Sequence, residues 1–180
     1  MLVTCLLSET IDNNNFELIS NSNSIELQFE LGDIQLNTVE TFTKIESKSN
    51  SETTIIGMPK LPFFSSMVML NPEKEYTATF EVISSYTVND VHILPNQMIL
   101  DGSEKIQIDN INLNFYQSNN SYPNHNVILS KPMVMRDLVV ASIKVIPFIF
   151  HPDKRELEVF ENIRITINEI GDTSDIRRRE

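Results

Sequence analysis

Apolar and polar residues alternate with a period of two along much of this chain, the mark of strands with one wet face. Ile25, Leu27 and Phe29 alternate with Glu26, Gln28 and Glu30, Gly32-Asp33 turns the chain, and Ile34-Gln35-Leu36 starts a second strand. Val39, Thr41, Thr43 and Ile45 continue with the opposite parity. A parity switch predicts either a bulge near Asn37-Thr38 or two separate strands. Glu46–Thr54 reads as a polar loop. Asn71-Pro72-Glu73-Lys74 reads as a turn feeding a strand in which Tyr76, Ala78, Phe80 and Val82 alternate with Thr77, Thr79, Glu81 and Ile83. A further segment, Val88 to Leu94, ends at Pro95-Asn96-Gln97, and Asp101-Gly102-Ser103 is a turn. Ile106 to Ile108 and Ile111, Leu113, Phe115 read as alternating strand fragments, followed by a polar loop, Ser118–Asn126.

The last third reads as a meander. Asn126–Ser130 is a short strand broken by Lys131-Pro132, and Val134 to Phe150 is a long run of branched and aromatic residues. Pro147 within it has no N–H to give a ladder, which predicts an edge or a bulge there. His151-Pro152-Asp153-Lys154 turns the chain, and Leu157, Val159, Ile163, Ile165 and Ile167 return as an alternating strand. Hairpins without a helix-period apolar stripe predict an all-β fold, a β-sandwich of mainly antiparallel strands. No repeat of fixed period is present.

Ahead of this body, residues 1–23 read as a loose lead-in. Asn13-Asn14-Asn15 and Ser20-Asn21-Ser22-Asn23 are loop signals around a short strand at Phe16–Ile19. The domain proper is expected over 24–170, with an exposed basic tail over 171–180. Within it, Gly57-Met58-Pro59-Lys60-Leu61-Pro62 places a glycine and two prolines within six residues, ahead of Phe63-Phe64-Ser65-Ser66 and the apolar Met67-Val68-Met69-Leu70. Glycine takes the positive φ that other residues avoid, and proline fixes φ and restricts its predecessor. The stretch predicts a rigid extended crossover.

Composition narrows the function classes. At 180 residues the chain suits one domain able to bury a real core. The formal net charge is −11, of which Arg177-Arg178-Arg179-Glu180 contribute +2, leaving −13 on residues 1–176. That charge repels phosphate backbones and anionic lipid, which argues against nucleic-acid and membrane partners. One cysteine, Cys5, excludes an internal disulfide framework and a multi-cysteine zinc site. The start, Met1 to Leu7, is apolar without a basic lead, and reads either as a signal-peptide remnant or as a first strand or frayed end.

Catalytic chemistry is poorly supplied. A cysteine nucleophile needs a base, and His92, His125 and His151 fall on a strand, in a polar loop and in a turn, with no flanking motif around Cys5. Asp101, Glu104 and Asp109 lack the spacing of a calcium loop. No metal site is expected, and no cofactor.

A set of short motifs, in order, carries a resemblance. They are Gly57-x-Pro59-x-Leu61-Pro62-x-x-Ser65; Val82-Ile83-Ser84-Ser85; Asp90-Val91 leading to Pro95; Tyr122-Pro123; Leu129-Ser130-Lys131-Pro132 with Arg136-Asp137; and Pro147-Phe148-Ile149-Phe150-His151-Pro152 with Glu156 to Phe160. Over roughly residues 57–169 the chain resembles the propeptide of gingipain-type cysteine peptidases. The resemblance implies a β-sandwich prodomain of a secreted zymogen on the extracellular side of a bacterium. Its partner would be the peptidase's catalytic domain, whose cleft it blocks and whose folding it assists. The catalytic cysteine and histidine of such peptidases belong to a downstream domain, so no peptidase activity is expected here.

In relatives the inhibitory arginine lies in the loop after the segment matching Pro95–Leu100. A basic side chain in a carboxylate-lined pocket gains a charge-assisted hydrogen bond. Here Asp101 stands at about that place and Lys105 is the nearest cation, so Lys105 reads either as the pocket residue or as a solvated turn lysine. Arg136 and Asp137 are expected on opposite faces of a strand, in a structural role ahead of partner contact. Arg177, Arg178 and Arg179 read as a processing site or as an ordinary basic tail. The competing function is a secreted β-sandwich interaction or adhesion module without peptidase regulation.

Overall fold

The computed structural model describes residues 15–21, 24–49, 51–98 and 108–173. Two five-stranded antiparallel sheets enclose one core, and a separate hairpin joins β3 (Gln35–Val39) to β4 (Phe42–Glu46). The first sheet contains β1 (Phe16–Asn21), β2 (Ser24–Glu30), β7 (Lys74–Val88), β11 (Phe148–His151) and β12 (Glu156–Asp172). The second contains β5 (Ser51–Glu52), β6 (Pro62–Met69), β8 (Val127–Leu129), β9 (Met133–Met135) and β10 (Leu138–Val145). The all-β expectation holds, and the strand expected at Phe16–Ile19 forms within β1, paired to β2.

Both sheets follow one plan, in which a long strand is shared by two shorter ones along one edge. β12 pairs with β7 on one edge; on the other it takes β11 at its start and β2 further on, with Ile163 opposite Phe29 and Ile165 opposite Leu27. β10 pairs with β6 on one edge, and with β9 then β8 on the other. The alternation read in the sequence becomes burial here. Ile163, Ile165 and Ile167 are fully buried while Arg164 is exposed. Each such aliphatic side chain contributes about 1.5–3 kcal/mol on leaving water. The sheets meet where Phe29 of β2 packs edge-on against Phe64 of β6, with ring centroids 5.3 Å apart.

One open alternative is resolved and two expectations are corrected. The parity switch after Leu36 is a turn at Glu40-Thr41 between two separate strands, not a bulge at Asn37-Thr38, because Val39 pairs directly with Phe42 and Glu40 takes φ 54°. Ile111 to Phe115 is not a strand: Leu113–Tyr116 is a single helical turn, α1, whose N-cap Asn112 accepts a hydrogen bond from the Phe115 amide. The run from Val134 to Phe150 is not continuous. A two-residue turn at Arg136-Asp137 separates β9 from β10, and Ile146-Pro147 carries the chain from the second sheet to the first. Pro147 cannot extend the β10 ladder, and buried Asn126 holds the switch by donating to the Ile146 and Phe148 carbonyls at 2.7 and 2.9 Å.

Candidate functional site

The Gly57–Pro62 crossover is an organising strut of the site. Gly57 takes φ 79°, and a Cβ there would stand 3.0 Å from the Asn112 backbone nitrogen. Only glycine meets both conditions without strain. The crossover lies antiparallel to the segment at Leu94–Asn96. Lys60 N–H donates to Leu94, Asn96 N–H to Met58, and Gly57 N–H to Asn96, each at 2.8 Å, with Pro59 bridged to Pro95. Both prolines leave those bonds to their neighbours, since neither has an N–H to offer. Buried Thr53 locks the far side, its hydroxyl donating to the Pro59 carbonyl and accepting from the Leu61 amide.

This strut fixes the two stems of the 99–107 segment. The Gln97 side chain donates to the carbonyls of Pro95 and Asn110 and accepts from the amides of Asp109 and Asn110, at 2.8–3.0 Å. All the polar capacity of one side chain is thus spent closing the stems against each other. Beyond the second stem, the Asn112 amide donates to the Gly57 carbonyl, and the Tyr116 hydroxyl, its pKa pushed well up by burial, donates to the Ile93 carbonyl at 2.7 Å. Asp101 and Lys105, the candidate cleft contacts, lie outside the described residues, as do Cys5 and Arg177, Arg178 and Arg179 of the candidate processing site. The clamp at Gln97 was missed in the sequence, where Pro95-Asn96-Gln97 reads only as the end of a segment.

The motif residues sort by what they touch. Gly57, Pro59, Leu61 and Pro62 form the strut, Leu61 being fully buried. Pro132 leads into β9, and Pro147 sits at the sheet switch, where its carbonyl accepts from the Phe160 amide at 2.9 Å. Pro152 opens the turn from β11 to β12, which Arg155 closes at φ 55°. Arg136 and Asp137, expected on a strand, form the tip of the β9–β10 hairpin, with Arg136 at φ 56°. Tyr122-Pro123 is a cis peptide bond, and Tyr122 exchanges backbone hydrogen bonds with Phe150.

The histidines stand apart. His92 stacks on Phe42, His125 lines a groove of about 480 Å³ between β7 and β8 beside Lys131 and Ile170, and His151 ends β11. Among the described residues, no three His, Cys, Asp or Glu side chains gather as metal ligands, and no helix is long and apolar enough to cross a membrane.

Comparison with known proteins gives consistent results. The Propeptide_C25 family profile matches residues 8–179, well beyond the 57–169 over which the motifs run. No curated protein matches the chain. Among solved structures, a chain in the complex of Porphyromonas gingivalis RgpB pro- and mature domains superposes with a TM-score of 0.75 at 21% identity, covering 93% of this chain and 90% of that one. A second chain, from a structure on the zymogenic latency of gingipain K from Porphyromonas gingivalis, gives a TM-score of 0.71 at 17% identity, covering 89% of this chain and 96% of that one. At these identities the likeness is one of fold.

Proposed function

This chain belongs to the Propeptide_C25 family, and from that premise we propose that it is a non-catalytic domain that binds, restrains and helps to fold a gingipain-type cysteine peptidase. The carrying observation is the family match across residues 8–179. Its partner is the peptidase's catalytic domain, either in one precursor or as a separate chain, on the extracellular side of a bacterium. Physically the task needs a rigid body and a segment delivered to the cleft, and the strut with its Gln97 clamp supplies a fixed base for the 99–107 segment. In this reading Lys105 enters the specificity pocket, Asp101 borders it, and cleavage at Arg177–Arg179 frees the domain. No observation favours the adhesion-module reading over this one.

The test is a titration of the purified domain against the gingipain-type peptidase activity of its source, with capture of the bound protein on beads. Stoichiometric loss of activity with the peptidase recovered supports the reading; full activity with no peptidase bound overturns it. Unchanged inhibition by Lys105→Ala would remove the pocket role and leave steric blocking.

A further inference from the structure

The two sheets present outer faces of opposite character. On the first, cross-strand register sets Gln28, Arg164 and Glu81 side by side, and next to them Glu26, Thr166 and Thr79. That is the polar solvent face expected of an antiparallel sheet. On the second, Met133, Val140 and Met69 form one row, Met135 pairs with Leu138 beyond it, and Met67 lies opposite Ser142 on the other side. Four of the chain's seven methionines share this face.

Exposure shows that the face is built rather than incidental. Val139 and Ala141 belong to the core cluster, so Val140 between them points outward, yet it is only 3% exposed. Met133 and Met69 flank it in register, while Met67, Met133, Met135 and Leu138 remain 46–49% exposed. Three consecutive apolar residues of β9 are exposed on both sides of the strand. Contiguous exposed apolar surface of this kind marks an interaction site, and methionine adapts its shape to a partner better than branched residues do.

Resting on the regulatory reading above, we propose that this methionine-rich face is the seat of the peptidase catalytic domain, which meets it with an apolar platform bordered by carboxylates. Charge selects this occupant over a second copy of the chain. In a chain of net charge −11, the strands β6 and β8–β10 with the turns joining β8 to β10 carry Lys131, Arg136 and Lys144 against one carboxylate, Asp137. Arg136 stands at the hairpin tip, and Lys144 lies over the Phe63 ring with its ammonium 3.6 Å from the centroid. A second copy would bring the same cations and the same overall negative charge, whereas carboxylates on a different partner complement them.

The test uses the full chain and the catalytic domain of the gingipain-type peptidase from the same source. Dilute hydrogen peroxide oxidises exposed methionines to sulfoxides, so Met67, Met133 and Met135 should oxidise in the free chain and be protected in the complex. A Met67→Glu/Met135→Glu double variant should weaken binding by roughly tenfold or more. A matched Thr77→Glu/Thr79→Glu variant on the polar face should bind as wild type. Binding without protection, or tight binding by the methionine variant, overturns the proposal while the regulatory function stands. Failure of the wild-type chain to bind overturns both. Self-association of the free chain in sedimentation, abolished by the methionine variant, would assign the face to a second copy and overturn it as well.

Discussion

Gly57 and four turn residues show opposite ways of meeting the same backbone demand. At Gly57 a side chain is excluded by both φ and space, so Gly57→Ala should cost about 1–3 kcal/mol, read as a lower urea midpoint with an unchanged slope. Elsewhere this glycine-poor chain forces charged residues into the left-handed region, at Glu40, Asp90, Arg136 and Arg155. Glu40→Gly should therefore stabilise the fold, by about 0.5–1 kcal/mol, as relief of strain outweighs the added chain entropy. The turns at Glu40 and Arg136 were hidden in the sequence because Glu-Thr and Arg-Asp carry none of the usual glycine or asparagine signal, whereas the turn at Arg155 was announced by Pro152-Asp153 and Gly57 with its prolines was plain. His92 makes a pH prediction. It stacks on Phe42 with centroids 4.5 Å apart and meets the edge of Tyr116 at 5.3 Å; burial first, then the charge of Arg155, holds its pKa below the ordinary value. The unfolded imidazole takes up a proton near pH 6.5 and the folded one only at lower pH. Its contribution is thus complete above about pH 6.5 and lost as the pH falls towards the folded pKa. The urea midpoint should drop between about pH 7.5 and pH 5.5, and His92→Phe should flatten that drop. Glu46 and Asp172, held below their ordinary values by Lys44 and Lys74, lose their contributions only in a more acid range.

At the scale of the element, the stems of the 99–107 segment depend on one side chain. Gln97→Ala should remove about 1 kcal/mol of net hydrogen bonding and speed amide exchange at Asp109 and Asn110, with the β12 amides little changed. Equal acceleration across the whole molecule would show that the clamp is not local. The helical turn that follows was misread because Ile111, Leu113 and Phe115 alternate over five residues, too short a window to separate periods of 2 and 3.6. The better signal lay in Asn112, whose side chain reaches the amide three positions on. Strands with one wet face, such as β2 with Leu27 and Phe29 inward, were legible as they stand.

For the molecule as a whole, the sequence disclosed a sandwich but not which strand joins which sheet. Pairing is nonlocal, so alternation at Ile25–Phe29 and at Ile163–Ile167 does not reveal that the two runs are neighbours. Nor did Pro147 within an apolar run disclose a change of sheet. The candidate site was legible at its strut and not at its clamp, since Gln97 acquires its role only when residues 109–110 return beside it. Ile165 sits fully buried where β12 faces β2 and β7. Ile165→Ala should cost about 2–5 kcal/mol, at the higher end if the two flanking strands cannot close the gap, as measured by denaturant unfolding. The position of β12 has a temporal consequence. The strand shared by β2, β7 and β11 is the last of the described strands, so during synthesis β1 and β2 emerge long before the partner that completes their sheet. Contacts separated by so much of the chain are slow to form. The first sheet is therefore completed late, beyond its local β1–β2 hairpin, and a nascent chain cut short of residue 156 would leave β2 and β7 without the centre of their ladder.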